Sequence, residues 1–299
     1  MKRTTKTKGL TLPEYAERFL AERDVSEIYI YQVRLRVAKL CEWAGRVLRV
    51  DELSCDLLNK WIVDLLGREL SAYTINTYRA NVLAVWNAAF MDGLNDNHPA
   101  RLRKVKKPRR VVEAYSHAEI RQLLGEAARL RWTDRNGNRR CDFWQALIHA
   151  AYSTGLRRGD LLSVPARRVA DDGLYTTVQH KTGYRVSVRF SADALTFAER
   201  LHHADGMLIP WPYRLDAIVW SFRRLRRRAG LDRGSLCWLR RSAGSYAESQ
   251  QLGAGATLLG HRNESVFRNH YEDAGLTGTR PVEPPAIAPV SLPAIGGVV

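Results

Sequence analysis

A mainly α-helical chain with one small β-sheet, divided into two domains, is the architecture this sequence predicts. Three observations carry that expectation. Apolar residues recur at helical spacing from Thr11 to Ala89; residues 173–190 instead alternate polar and β-branched residues around a Lys181-Thr182-Gly183 turn; and a block of cations separates the two regions. The 299 residues suit two domains at about 100–200 residues each. A hydrophobic fraction of 45%, with 8 Trp and 12 Tyr, provides for real cores and excludes a disordered polycation.

Taken in order, Leu12, Tyr15, Phe19 and Leu20 define a first amphipathic helix, and Ile30, Val33, Val37, Leu40 and Trp43 a second. Ser54 or Asp56 is placed to cap a third through Leu57, Trp61, Ile62 and Leu65. Ser71 caps a fourth through Ile75, Tyr78, Val82, Val85, Trp86 and Ala89. Four helices with short connections before Gly93 read as a small bundle, with Trp43, Trp61 and Trp86 assigned to its core. Between residues 101 and 110, seven of ten residues are Lys or Arg, and two prolines in the wider stretch from His98 interrupt helix formation; this is read as an interdomain linker.

Beyond the linker, Ser116 and Glu119 have capping-box spacing and open a helix through Ile120, Leu123 and Leu124. The segment Trp144 to Tyr152 reads as a buried helix, and Gly173 to Phe190 as a hairpin. In Asp216 to Ala229, helical spacing puts Ile218, Val219, Phe222 and Leu225 on one face and Arg223, Arg224, Arg226, Arg227 and Arg228 largely on the others. From Gly275 the chain is rich in Pro, Gly, Ala and Val, and little fixed structure is expected there. The resulting division is a basic tail (1–9), a helical domain (10–97), a basic linker (98–115), a second domain (116–274) and a Pro/Gly-rich tail (275–299).

Charge narrows the choice of partner. With 47 Lys plus Arg against 31 Asp plus Glu, the net charge is +16, which points to a polyanion. No apolar stretch approaches the roughly 20 residues of a membrane span, and the basic start runs into a polar amphipathic segment rather than a signal-peptide core, so a cytoplasmic protein is expected. Four cysteines without a Cys-x-x-Cys pair, and no suitably spaced histidines, imply neither a disulfide framework nor a structural metal.

Four separated polar motifs remain: Thr154-Gly-Leu-Arg157-Arg-Gly-Asp160-Leu161, Lys181-Thr-Gly183, Cys237-Trp-Leu-Arg240, and Leu259-Gly-His261 with Tyr271 ten residues on. Singly, each reads as ordinary surface or packing chemistry. In this order and spacing they resemble the tyrosine recombinase (phage integrase) family over roughly residues 10–273. The resemblance implies a SAM-like core-binding bundle followed by a catalytic domain. It also implies Arg157 and Arg240 as catalytic arginines, Lys181 as the hairpin lysine, His261 as the histidine of the Leu-Gly-His box and Tyr271 as the nucleophile. Asp160 stands where the family has Glu, and is expected to orient Arg157. Cys237 stands where the family's His-x-Leu-Arg box has His, and Arg241 where a second His is common.

These residue types suit the chemistry. Attack on a phosphodiester builds charge on the non-bridging oxygens, which fixed guanidiniums stabilise, while a phenol attacks phosphorus and a lysine supplies the leaving oxygen's proton. The resemblance further implies a 3′-phosphotyrosyl intermediate, no metal or other cofactor, double-stranded DNA as partner, a tetramer assembled on DNA, and use of an accessory DNA-bending or directionality factor. Arg79, Arg103, Lys104, Lys106, Lys107, Arg223, Arg224, Arg227 and Arg241 are the expected DNA contacts. The tail residues Ile287, Val290, Leu292 and Ile295 are candidates for docking on a neighbouring protomer. Two alternatives stay open: a DNA-binding protein that has lost cleavage, and a type IB topoisomerase-like enzyme.

Overall fold

The computed structural model describes residues 9–99, 102–108 and 111–278. The chain divides into two compact units, residues 1–110 and 111–299. The basic segment 1–8 and the tail residues Ile287, Val290, Leu292 and Ile295 lie outside the described residues.

The first unit is a four-helix bundle: α1 (Leu12–Ala21), α2 (Glu27–Trp43), α3 (Cys55–Gly67) and α4 (Ala72–Met91). Each helix starts where a hydroxyl side chain accepts a hydrogen bond from a first-turn N–H: Thr11 from Glu14, Ser26 from Tyr29, Ser54 from Leu57 and Ser71 from Thr74. The apolar faces meet around Trp61 and Trp86, both buried; Trp43 packs at the edge of this core, half-buried. Trp61 stacks at a tilt on Tyr78, with ring centroids 5.9 Å apart. Trp61→Ala should therefore destabilise this unit by about 3–5 kcal/mol, the usual cost of deleting a buried aromatic. Urea titration of the full chain, followed by hydrogen exchange in residues 12–91, checks this; an unchanged transition would contradict the assignment of Trp61 to the core.

Residues 102–108 form neither helix nor strand and are tied to the bundle. Leu102 is buried in its core, Arg103 N–H donates to Asn59, and Asn76 exchanges two hydrogen bonds with the Val105 backbone at 2.7 and 3.1 Å. The cationic side chains of Arg103, Lys104, Lys106 and Lys107 remain exposed along this strip.

The second unit is also mainly helical. It comprises α5 (His117–Ala128), α6 (Arg140–Thr154), α7 (Arg158–Leu162), the antiparallel strands β1 (Leu174–Val178) and β2 (Arg185–Arg189), then α8 (Ala192–Ala198), α9 (Ala217–Arg228), α10 (Leu236–Gln250), α11 (Ala254–Leu258), α12 (Glu264–His270) and α13 (Ala274–Thr277). The Ser116–Glu119 capping box forms in both directions. Helix α6 is buried along nearly its whole length and is the axis of the core. In the hairpin, Leu174 pairs with Arg189 and Val178 with Arg185, which turns Tyr175, Val186 and Val188 inward.

Packing and capping overturn two of the expectations for this unit. On α9, Val219 is exposed, and Arg226 is buried instead, because its Nη1 donates to the Gly234 carbonyl at 2.9 Å. Helical structure continues beyond residue 275 into α13, because the Asp273 carboxylate caps that turn through Gly275 N–H while also accepting from Ala114 N–H.

Candidate active site

The second unit gathers the sequence motifs by bringing chain ends of helices together. Helix α6 ends at Gly155, which takes a left-handed conformation (φ +60°) and packs so closely on Leu259 that a Cβ would come within 2.6 Å of that side chain. Immediately afterwards Arg157 caps α7 and turns its guanidinium back, where Nη1 donates to Gln179 Oε1 at the base of the hairpin. Arg240, in the first turns of α10, is 3% exposed. Its Nη1 donates to the Gly155 carbonyl and its Nη2 to the Leu259 carbonyl at 2.8 Å, so one guanidinium ties the first arginine motif to the Leu-Gly-His motif.

His261 follows. Its Nε2 lies 3.3 Å from Arg240 Nη2, a group that can only donate, so His261 is the acceptor there and carries its proton on Nδ1. Burial, then the positive charges of Arg240 and Arg157, push the His261 pKa down to about 4, leaving the ring neutral at ordinary pH. Arg240 is itself held below the usual arginine range by burial and by Arg157, with Tyr271 acting in the opposite direction.

Tyr271 is the C-terminal cap of α12 and is half-buried. Its ring lies 4.6 Å from that of His261 and 5.2 Å from the Arg240 guanidinium carbon. The segment is clamped from α10: Ser245 Oγ donates to the Tyr271 carbonyl at 3.2 Å and accepts from Asp273 N–H at 2.9 Å. Phe267 anchors α12 in a slot at Gly244 and Gly255, where added Cβ atoms would come within 2.9 and 2.4 Å of its ring. Residues with side chains at those two positions would push Tyr271 away from the arginines.

A cleft of about 740 Å³ opens over this cluster, lined by Arg157, Lys181, Cys237, Arg240 and Tyr271 together with Arg158, Arg223 and Arg226. Asp232 is the carboxylate in its wall, against six cations. Six cations against one carboxylate give the cleft a strong positive potential. Lys181 stands exposed on the hairpin turn, with no described ion-pair partner, and Cys237 is exposed at the start of α10. Among the described residues no cluster of three or more His, Cys, Asp or Glu could hold a metal.

The polar partner of the Asp160 carboxylate is His180, and that of the Arg157 guanidinium is Gln179. Asp160 is buried, and its Oδ1 accepts from the backbone N–H of His180 at 3.1 Å and from His180 Nδ1 at 2.7 Å. The carboxylate therefore fixes the residue beside Lys181, and Gln179 takes the place expected of Asp160 at Arg157. Among the expected DNA contacts, Arg223, Arg224 and Arg227 are exposed on α9. Arg241 instead donates to the Glu113 carbonyl at 3.1 Å, and Arg79 to the Leu102 carbonyl at 3.3 Å.

The depressed His261 pKa has a measurable consequence. The unfolded chain takes up this proton at about pH 6.5 and the folded chain only near 4, so stability present above pH 6.5 is lost as pH falls between those values. His261→Asn should flatten that acid limb of the stability curve for the second unit. His149, also lowered by burial, keeps part of the slope. Urea midpoints from pH 7 to 4 test this, and an identical slope in the variant would contradict it.

No family model matches the chain. Sequence relatives do. A Haemophilus influenzae protein named as an integrase/recombinase is 21% identical over 266 residues, covering 88% of this chain and 72% of that protein. The integrase of Mycobacterium phage D29 is 25% identical over 170 residues, covering 55% of this chain and 40% of its own length. The tyrosine recombinase XerD of Agrobacterium fabrum is 22% identical over 196 residues, covering 64% and 59%. The chain thus spans about two-fifths to three-quarters of the length of these relatives. Among solved structures, a lambda integrase dimer bound to a COC′ core site superposes with a TM-score of 0.71 at 18% identity, covering 89% of this chain and 78% of that one. The Tn1549 transposon integrase bound to circular-intermediate DNA gives 0.63 at 14% identity, covering 88% and 95%. The fold is that of the lambda-type integrases. By sequence, the chain is similar to proteins named as integrases and as a tyrosine recombinase.

Proposed function

We propose that the protein is a site-specific DNA recombinase that cuts and rejoins duplex DNA through a 3′-phosphotyrosyl intermediate. The observation that carries this reading is the convergence of Arg157, Arg240 and Tyr271, from three separate sequence motifs, at one cationic cleft beside the Lys181 turn, with His261 packed against Arg240 and Tyr271. Arg157 and Arg240 grip the non-bridging oxygens of the scissile phosphate. Tyr271 gives up its phenolic proton to solvent, its oxygen attacks phosphorus, the bond to the 5′ oxygen breaks, and Lys181 delivers a proton to that leaving oxygen. Attack by a second 5′ hydroxyl reverses the step and frees Tyr271, so the ester conserves the bond energy that religation requires.

Recombination joins two duplexes, each cut on both strands, and one solved relative is a lambda integrase tetramer on a Holliday junction. A tetramer on DNA is the assembly this chemistry asks for. On this reading the protein acts on DNA in the cytoplasm, with an accessory DNA-bending or directionality factor as a further partner. Among the described residues no helix is long and apolar enough to cross a membrane. The exposed Arg103, Lys104, Lys106 and Lys107, with Arg223, Arg224 and Arg227, supply backbone contacts. With about ten phosphates engaged, affinity should fall by thousands-fold between low and moderate salt; a flat response in a titration of a flanking-DNA duplex would sink the DNA reading.

A plasmid carrying two copies of the DNA that flanks the gene separates the enzyme classes. Exchange between the copies supports the recombinase, whereas relaxation of any supercoiled plasmid without exchange supports a type IB topoisomerase. Cys237 favours one further reading, a DNA binder without cleavage, since a thiol is a weak donor where the family has histidine. Binding without cleavage, restored by Cys237→His, is the result that reading requires.

A further inference from the structure

The sequence motifs do not include Gln179, yet its side chain is the common partner of three of them. Gln179 is 1% exposed, at the last position before the hairpin turn. Its Oε1 accepts from Arg157 Nη1 and from Thr182 Oγ1 at 2.9 Å, the second of these within the Lys181 turn. Its Nε2 donates to the Leu259 carbonyl at 3.1 Å, the same oxygen that accepts from Arg240 Nη2 at 2.8 Å. The path Arg157–Gln179–Leu259–Arg240 therefore joins both guanidiniums through one amide and one carbonyl. The backbone closes the turn on the same residue, with Gln179 N–H donating to the Tyr184 carbonyl and Gly183 N–H to the Gln179 carbonyl. Gly260 (φ +62°) lets the amide in, since a Cβ there would lie 2.9 Å from Gln179 Nε2 and 2.3 Å from Val186.

We propose that Gln179 is a positioning residue for strand cleavage, one amide that sets the Arg157 guanidinium against the Lys181 turn and the Leu259–His261 segment. This deepens the recombinase reading and rests on it. An amide is required because the site demands an acceptor and a donor on one planar group. Glutamate keeps the acceptors, loses the donor to Leu259, and holds Arg157 by charge against its transfer to phosphate. Asparagine is a methylene too short to span from the hairpin to Leu259. Methionine matches the volume of Gln179 and removes both polar roles, so it isolates the hydrogen bonds from packing.

The test uses the full chain with Gln179→Met, Gln179→Glu and Gln179→Ala on a suicide duplex from the flanking DNA. Single-turnover adduct formation should slow about tenfold to a hundredfold, as expected for misplacing a catalytic group by about an ångström, while duplex affinity changes less than about threefold. In an Arg157→Ala background the same substitutions should add almost nothing, because Gln179 acts through Arg157. An equal loss in both backgrounds, or wild-type rates in the variants, would overturn the proposal. Hydrogen exchange supplies a readout free of catalysis: Gln179→Met should deprotect residues 179–184 and 258–261 together, and deprotection confined to the hairpin would also overturn it. Should the wild type form no adduct, the recombinase reading fails on its own, and the exchange pattern alone decides whether Gln179 bridges these segments.

Discussion

Tyr271→Phe should abolish strand exchange and leave duplex binding intact. The phenol ring packs on His261 and lies by the Arg240 guanidinium, and phenylalanine preserves both ring contacts while deleting the oxygen proposed to attack phosphorus. The Ser245 clamp holds Tyr271 through its backbone carbonyl, so the variant keeps the position of the residue. Removing a covalent nucleophile costs on the order of 10⁴-fold or more in rate, and the residual rate should be undetectable on a gel. Comparison of exchange rate and duplex Kd in the two proteins checks the expectation. A variant that still exchanges strands would remove Tyr271 from the mechanism.

Arg240→Lys should be nearly as severe, and for a different reason. The buried guanidinium satisfies the Gly155 and Leu259 carbonyls and contacts His261 in one plane. A lysine ammonium is a single point of donation and cannot bridge that span while also gripping phosphate. Cleavage should fall about 10²- to 10³-fold, the range for losing a transition-state donor. Stability should fall by about 1–3 kcal/mol, since a buried carbonyl loses its partner. Adduct kinetics together with urea midpoints read both effects, and a conservative outcome in both would show that Arg240 acts only as a positive charge.

Much of this architecture is legible from sequence because its signals are local. Thr11, Ser54, Ser71 and Ser116 stand where helices begin, each helix carries its apolar stripe, and Lys181-Thr-Gly183 marks the hairpin turn. The motif residues stand out in sequence for a related reason: the proposed chemistry on a phosphodiester restricts which side chains serve at each point. Contacts made across the fold were not legible. Asp160 lies three residues from Arg157 in sequence, yet it serves His180, because α7 turns its carboxylate towards the hairpin base. Gln179 carries no motif signal; its importance comes from reaching Leu259, eighty residues further along the chain. Arg226 looks like its neighbours in a run of cations, and only the Gly234 carbonyl opposite it explains its burial.

The most direct measurement is peptide mapping of the protein–DNA adduct trapped on a nicked suicide duplex drawn from the flanking DNA. A nucleotide mass attached to the peptide that contains Tyr271, absent from Tyr271→Phe, is the predicted result. A nucleotide on any other residue, or tight binding with no adduct from the wild-type protein, would contradict it.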